Sequence, residues 1–168
     1  MKKILLLLAF MLFVSSCQEE GEVQTEATII ELSDLKSQIG YAAFDLEYNE
    51  YESDTVLVEA IKNAYVEDEM DFLMFIKPTC KCLGNTEKVP VLYRILNDAG
   101  ISDDKITLYS MRVAELKHPY EANINIVDLP SFYLVKNEID FTELFASFDP
   151  NDSTGTNLET LILEAMEQ

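Results

Sequence analysis

Basic residues are scarce in this chain: 12 Lys and Arg stand against 31 Asp and Glu over 168 residues. So acidic a surface repels other polyanions, which excludes nucleic acid and anionic lipid headgroups as good partners. Long apolar runs are missing too. A bilayer-spanning helix needs ~20 such residues, and the longest run, Ile4–Val14, falls well short. The chain has no internal repeats, and no linker divides it into separate domains. Tryptophan is absent, histidine occurs once at His118, and cysteine occurs only at Cys17, Cys80 and Cys82.

The first residues read as an export signal. Lys2 and Lys3 supply the positive start, and Ile4–Val14 supply the apolar core. Val14-Ser15-Ser16-Cys17 then resembles the lipobox of bacterial lipoproteins: an aliphatic residue, two small ones and the cysteine. The resemblance implies removal of residues 1–16 and a lipid attached to Cys17. Removing 16 of 168 residues leaves 152, one domain's length, with 10 basic and 31 acidic side chains and a charge of −21. Attachment to a membrane is then expected through acyl chains, not through charge. Gln18, in place of Asp after the lipidated cysteine, implies the outer membrane of a Gram-negative envelope, on its periplasmic or surface face. Residues 17–27 are acidic with no hydrophobic period, a flexible tether; residues 28–168 form the domain. Once Cys17 is lipidated, Cys80 and Cys82 remain as a pair in a compartment where a disulfide can persist.

Within the domain, Thr28–Leu32 predicts a first strand, and Ser33 a capped helix that Gly40 ends. The aromatic stretch from Tyr41 to Tyr51 does not declare its conformation. Ser53 or Asp54 caps a helix with Leu57, Ala60, Ile61, Ala64 and Tyr65 on its apolar face. Phe72–Ile76, continuously apolar, predicts a central strand buried on both sides. Val89, Leu92, Tyr93 and Leu96 mark a helix running to Gly100, with Pro90 inside it. Ile106–Met111 is another strand, followed by a His-Pro turn and a short helical segment. Ser131–Val135 and Ile139–Phe148 read as a hairpin about Lys136-Asn137-Glu138. Thr156 with Glu159 forms a capping box for a last helix whose core face is Leu158, Leu161, Ile162 and Ala165. This order predicts a mixed sheet with helices on both faces, an α/β class.

The chemistry concentrates in Lys77-Pro78-Thr79-Cys80-Lys81-Cys82, where the central strand hands over to a helix. A thiolate is the reactive form, and a helix amino terminus or nearby positive charge stabilises it. Lys77, Lys81 and Lys88 supply that charge on an otherwise acidic chain. Residues i and i+2 do not share a helix face. Cys80 and Cys82 therefore bridge only if Thr79–Lys81 is not helical, and so small a ring is expected to be strained and oxidising. Two thiolates one residue apart also suit Cu(I), a soft ion of low coordination number, with His118 or Met111 completing the site. A third reading is a non-catalytic module. A bridge across one residue closes too small a loop to act as a stabilising staple.

The order of elements resembles the thioredoxin superfamily from about Asp71 to the carboxyl end. Phe75 to Cys80 has the family's strand-to-cysteine spacing, and Pro90 sits where the following helix kinks. Ile126-Val127-Asp128-Leu129-Pro130-Ser131-Phe132 is similar to the family's cis-proline segment. The resemblance implies a three-layer α/β/α fold with a mixed central sheet. It also implies Cys80 as attacking thiol, Cys82 as resolving thiol, and Leu129-Pro130 as the segment that pairs with an extended substrate peptide. Lys77 and Lys81 would activate the thiol electrostatically. The implied function is thiol–disulfide exchange with extracytoplasmic protein partners, without a cofactor. Copper-delivery proteins on the same fold use two cysteines and a distant histidine, so the alternative metal set is Cys80, Cys82 and His118. The chain departs from the family pattern at four points. The usual second-cysteine position is Leu83, and Cys82 comes one residue early. Thr79 replaces an aromatic residue, and Met74 occupies the place of a buried acid.

Overall fold

The computed structural model describes residues 24–79, 83–144 and 157–168. The expectations placed on Cys17, Cys80, Lys81, Cys82 and Thr156 fall outside the described residues. The described elements run β1 (Thr28–Ile29), α1 (Leu32–Ser37), a 3-10 turn (Ile39–Tyr41), α2 (Phe44–Glu50), α3 (Thr55–Ala64) and β2 (Met70–Ile76). They continue with α4 (Leu83–Asp98), a second 3-10 turn (Asp103–Lys105), β3 (Ile106–Ser110), β4 (Ser131–Lys136), β5 (Asp140–Glu143) and α5 (Leu158–Glu167).

The five strands form one sheet in the order β1-β3-β2-β4-β5. β2 runs parallel to β3 and antiparallel to β4, and the two outer pairings are antiparallel. The chain is thus α/β with a mixed sheet, compatible with a three-layer α/β/α fold. β2 lies at the centre because its run Phe72–Ile76 is buried throughout, as a strand covered on both faces must be. Alternation then sorts its side chains. Phe72, Met74 and Ile76 join the larger core cluster, to which the helices contribute Ile61, Leu92, Leu96 and Ile162. Leu73 and Phe75 point to the opposite face, into a second cluster with Tyr109, Met111, Ile124, Ile126, Tyr133 and Val135.

The layer over that second face is the segment 111–129, a succession of turns and bends that packs Ala114, Leu116, Tyr120 and Leu129 against the sheet. The helical segment expected after the His-Pro turn is absent there. The apolar residues Leu116, Tyr120 and Ile124 pack onto the sheet from turns and bends instead.

Local chemistry explains most boundaries. The Asp54 carboxylate accepts from the backbone N–H groups of Val56 (2.9 Å) and Leu57 (3.2 Å), capping α3. α4 ends at Gly100, whose φ of 81° lets Gly100 N–H reach Asn97 O (2.9 Å) and Ile101 N–H reach Leu96 O (2.9 Å). The β4–β5 turn puts Asn137 and Glu138 at φ 51° and 63°, with Ile139 N–H donating to Lys136 O at 3.1 Å. Ile139 therefore closes the turn instead of opening β5. β1 is shorter than expected, because Leu32 already belongs to α1. Two caps also differ from expectation. α1 starts with Glu31 in the cap position, leaving Ser33 inside the helix. α5 is capped by Asn157, whose Oδ1 accepts from Thr160 N–H at 2.9 Å. The Glu159 carboxylate accepts from Tyr51 Oη and Asp54 N–H. Among the described residues no helix is long and apolar enough to cross a membrane.

Candidate functional site

The parallel pairing of β2 with β3 and the antiparallel pairing of β2 with β4 bring three loops to one end of the sheet. Ile76, the last residue of β2, stands opposite Ser110, and Met111 N–H donates to Ile76 O at 2.8 Å. Phe75 stands opposite Ser131, the first residue of β4. Segments 77–79, 111–118 and 127–130 therefore leave the sheet together. In sequence, Cys80-Lys81-Cys82 joins Thr79 to Leu83, where α4 begins; the three residues themselves lie outside the described ones.

The peptide bond Leu129-Pro130 is cis. Its loop is tied by its own residues: Leu129 N–H donates to Asp128 Oδ1 (2.8 Å), and Ser131 Oγ donates to Asp128 O (2.7 Å). Leu129 packs on the second cluster, while Val127, just upstream, is 81% exposed. Extending the β2–β4 register by one residue sets Pro130 beside Ile76, four residues before Cys80. Lys77 follows β2 directly and Lys88 lies in the second turn of α4, both partly buried. The amino-terminal end of a helix favours negative charge at the residues that lead into it.

His118 lies on the second face. Its ring meets Phe75 edge-on, with centroids 5.1 Å apart and planes at 63°. Nδ1 is buried without a hydrogen-bond partner among the described residues. Burial lowers the imidazole pKa from its usual value, and the nearby Glu121 carboxylate opposes that shift. The neighbouring phenols of Tyr109 and Tyr133 are pushed up to about 12, chiefly by burial, so neither ionises near neutrality. Among the described residues no group of three or more His, Cys, Asp or Glu side chains could hold a metal ion.

A cleft of about 280 Å³ opens beside Thr79, lined by Gln38, Pro78, Ser110, Met111 and Arg112 among others. Arg112 and Val127 did not stand out in the sequence. The available signal was positional: ligands of α/β sheets gather at the carboxyl ends of parallel strands, and Arg112 follows the end of β3. Comparison with family models, with curated proteins and with solved structures gives no match.

Proposed function

We propose that this protein is a lipid-anchored thiol–disulfide exchange protein of the cell envelope, acting through Cys80 and Cys82. The observation that carries the reading is the strand register. It pairs Ser131, the residue that follows cis Pro130, with Phe75 near the end of the strand that leads into the Cys-x-Cys segment. A proline has no N–H to donate, so backbone at its neighbours can pair with an extended peptide laid across the cysteines. Exposed Val127 offers that peptide an apolar contact. The amino terminus of α4, with Lys77 and Lys81, favours the Cys80 thiolate.

In the reductive direction the Cys80 thiolate attacks one sulfur of a substrate disulfide. A Cys80–substrate bond forms, the substrate S–S bond breaks, and the departing sulfur leaves as a thiolate that takes up a proton. Cys82, as thiolate, then attacks Cys80. This releases the second substrate thiol and leaves a Cys80–Cys82 disulfide, so the substrate gains two electrons and the pair loses two. Run backwards, the same steps oxidise a substrate dithiol, and a strained small ring favours that direction. Cys17 carries the lipid anchor in this reading, with residues 18–23 as tether, since Gln24 is bonded to Ser110 and Arg112 and Ala27 to Lys117.

The test is a redox titration with thiol alkylation and mass readout. A reversible two-electron couple between Cys80 and Cys82 is expected, and Cys82→Ser should trap mixed disulfides through Cys80. Thiols that stay reduced across the titration would sink the mechanism. A second reading, Cu(I) capture by Cys80, Cys82 and His118, draws on the buried Nδ1 of His118, which has no hydrogen-bond partner among the described residues. It predicts tight Cu(I) binding that weakens in His118→Ala; unchanged affinity removes this ligand.

A further inference from the structure

We infer that the cleft beside Thr79 is a recognition subsite for a peptide segment bearing a carboxylate next to its cysteine, with Arg112 as the specificity residue. The inference deepens the exchange reading and rests on it for the chemistry. Thr79 is the residue immediately before Cys80, so a group seated in this cleft borders the reacting sulfur in sequence. Among the described residues that line the cleft, Arg112 is the only cation.

Three further observations support a carboxylate. The Gln24 side chain fixes the point from which Arg112 departs: its Nε2 donates to Ser110 O (2.8 Å) and its Oε1 accepts from Arg112 N–H (3.0 Å). Lys36, Lys62, Arg94 and Lys105 are each matched to a carboxylate; Arg112, like Lys117 and Lys136, forms no ion pair among the described residues, and of these three only Arg112 lines the cleft. The lining is apolar as well as charged, since Ile30, Pro78 and Met111 share the cleft with Arg112. A guanidinium with apolar neighbours suits a protein segment better than a small hydrophilic anion. The protein's large negative charge opposes an acidic partner at long range, but salt screens it beyond about 8–10 Å, which leaves the local guanidinium to decide.

The experiment uses the full-length protein in detergent at physiological salt. Two synthetic disulfide peptides differ only in Asp or Lys beside the cysteine, and an uncharged hydroxyethyl disulfide reports the chemistry without charge recognition. The wild type should exchange with the Asp peptide about two- to five-fold faster than with the Lys peptide, the range for a solvent-exposed ion pair. Arg112→Ala should erase that preference and Arg112→Glu should invert it. Equal rates in the wild type, or a preference that survives Arg112→Ala, overturns the inference. If none of the three disulfides reacts, the exchange reading fails instead. The subsite is then judged by binding of the same peptides with serine for cysteine: weaker Asp-peptide binding in Arg112→Ala upholds it, and equal binding overturns it.

Discussion

Glu159 is 1% exposed, and its carboxylate joins α5 to the segment that leads into α3. Tyr51 Oη donates to its two oxygens at 2.9 and 3.0 Å, and Asp54 N–H donates to Oε1 at 3.1 Å. Burial, then the Glu159 hydrogen bond and charge, raise the Tyr51 phenol well above its usual pKa, so the hydroxyl stays a donor at any ordinary pH. A hydrogen bond to a charged group contributes about 1.5–3 kcal/mol. Tyr51→Phe should therefore cost about 1.5–3 kcal/mol, because it leaves a buried carboxylate with one donor fewer. Glu159→Ala removes the acceptor for both donors and adds a cavity, and should cost about 2–5 kcal/mol. Urea unfolding of both single variants and the double variant closes a cycle that isolates the pair. A coupling of about 1.5 kcal/mol or more is expected. A coupling indistinguishable from zero, or a Tyr51→Phe loss below about 0.5 kcal/mol, would refute the claim that this contact holds the helices together.

Two further predictions concern stability. Glu138 is exposed and sits at φ 63°, a left-handed conformation that costs residues with a Cβ but not glycine. Glu138→Gly should stabilise the protein by about 0.5–1 kcal/mol in denaturant unfolding, and a lowered midpoint would contradict the turn geometry. His118 has a folded-state pKa below its unfolded value, so the unfolded chain binds its proton first as pH falls. Stability should thus drop as pH falls below about 6.5 and level off once the folded-state imidazole is itself protonated. Thermal unfolding between about pH 7 and pH 5 should show a shallower pH dependence for His118→Leu than for the wild type; equal slopes would refute it.

Much of the fold was legible because short-range rules governed it. Asp54 before an amphipathic run, Gly100 after one, and the continuous apolar stretch Phe72–Ile76 each carry their own physical reason in a few consecutive residues. Legibility failed where a residue's partner was distant in sequence. Glu159 reads in sequence as half of a capping box, but its carboxylate accepts from Tyr51 and Asp54, separated from it by 108 and 105 positions. The stretch from Tyr41 to Tyr51 became a 3-10 turn and a short helix because Tyr41 and Phe44 are buried by the packing of the helices, which no local pattern announces.

The candidate site divides in the same way. Sequence by itself determined the two neighbouring cysteines, their place between a buried strand and a helix, and the proline that precedes the hairpin, since these follow from composition and order. Only the tertiary structure decided that Ser131, next to Pro130, stands opposite Phe75, that His118 packs on Phe75, and that Arg112 shares a cleft with Thr79. Each of those depends on strand pairing and register, which are set by how the two faces of the sheet bury their side chains across the whole domain.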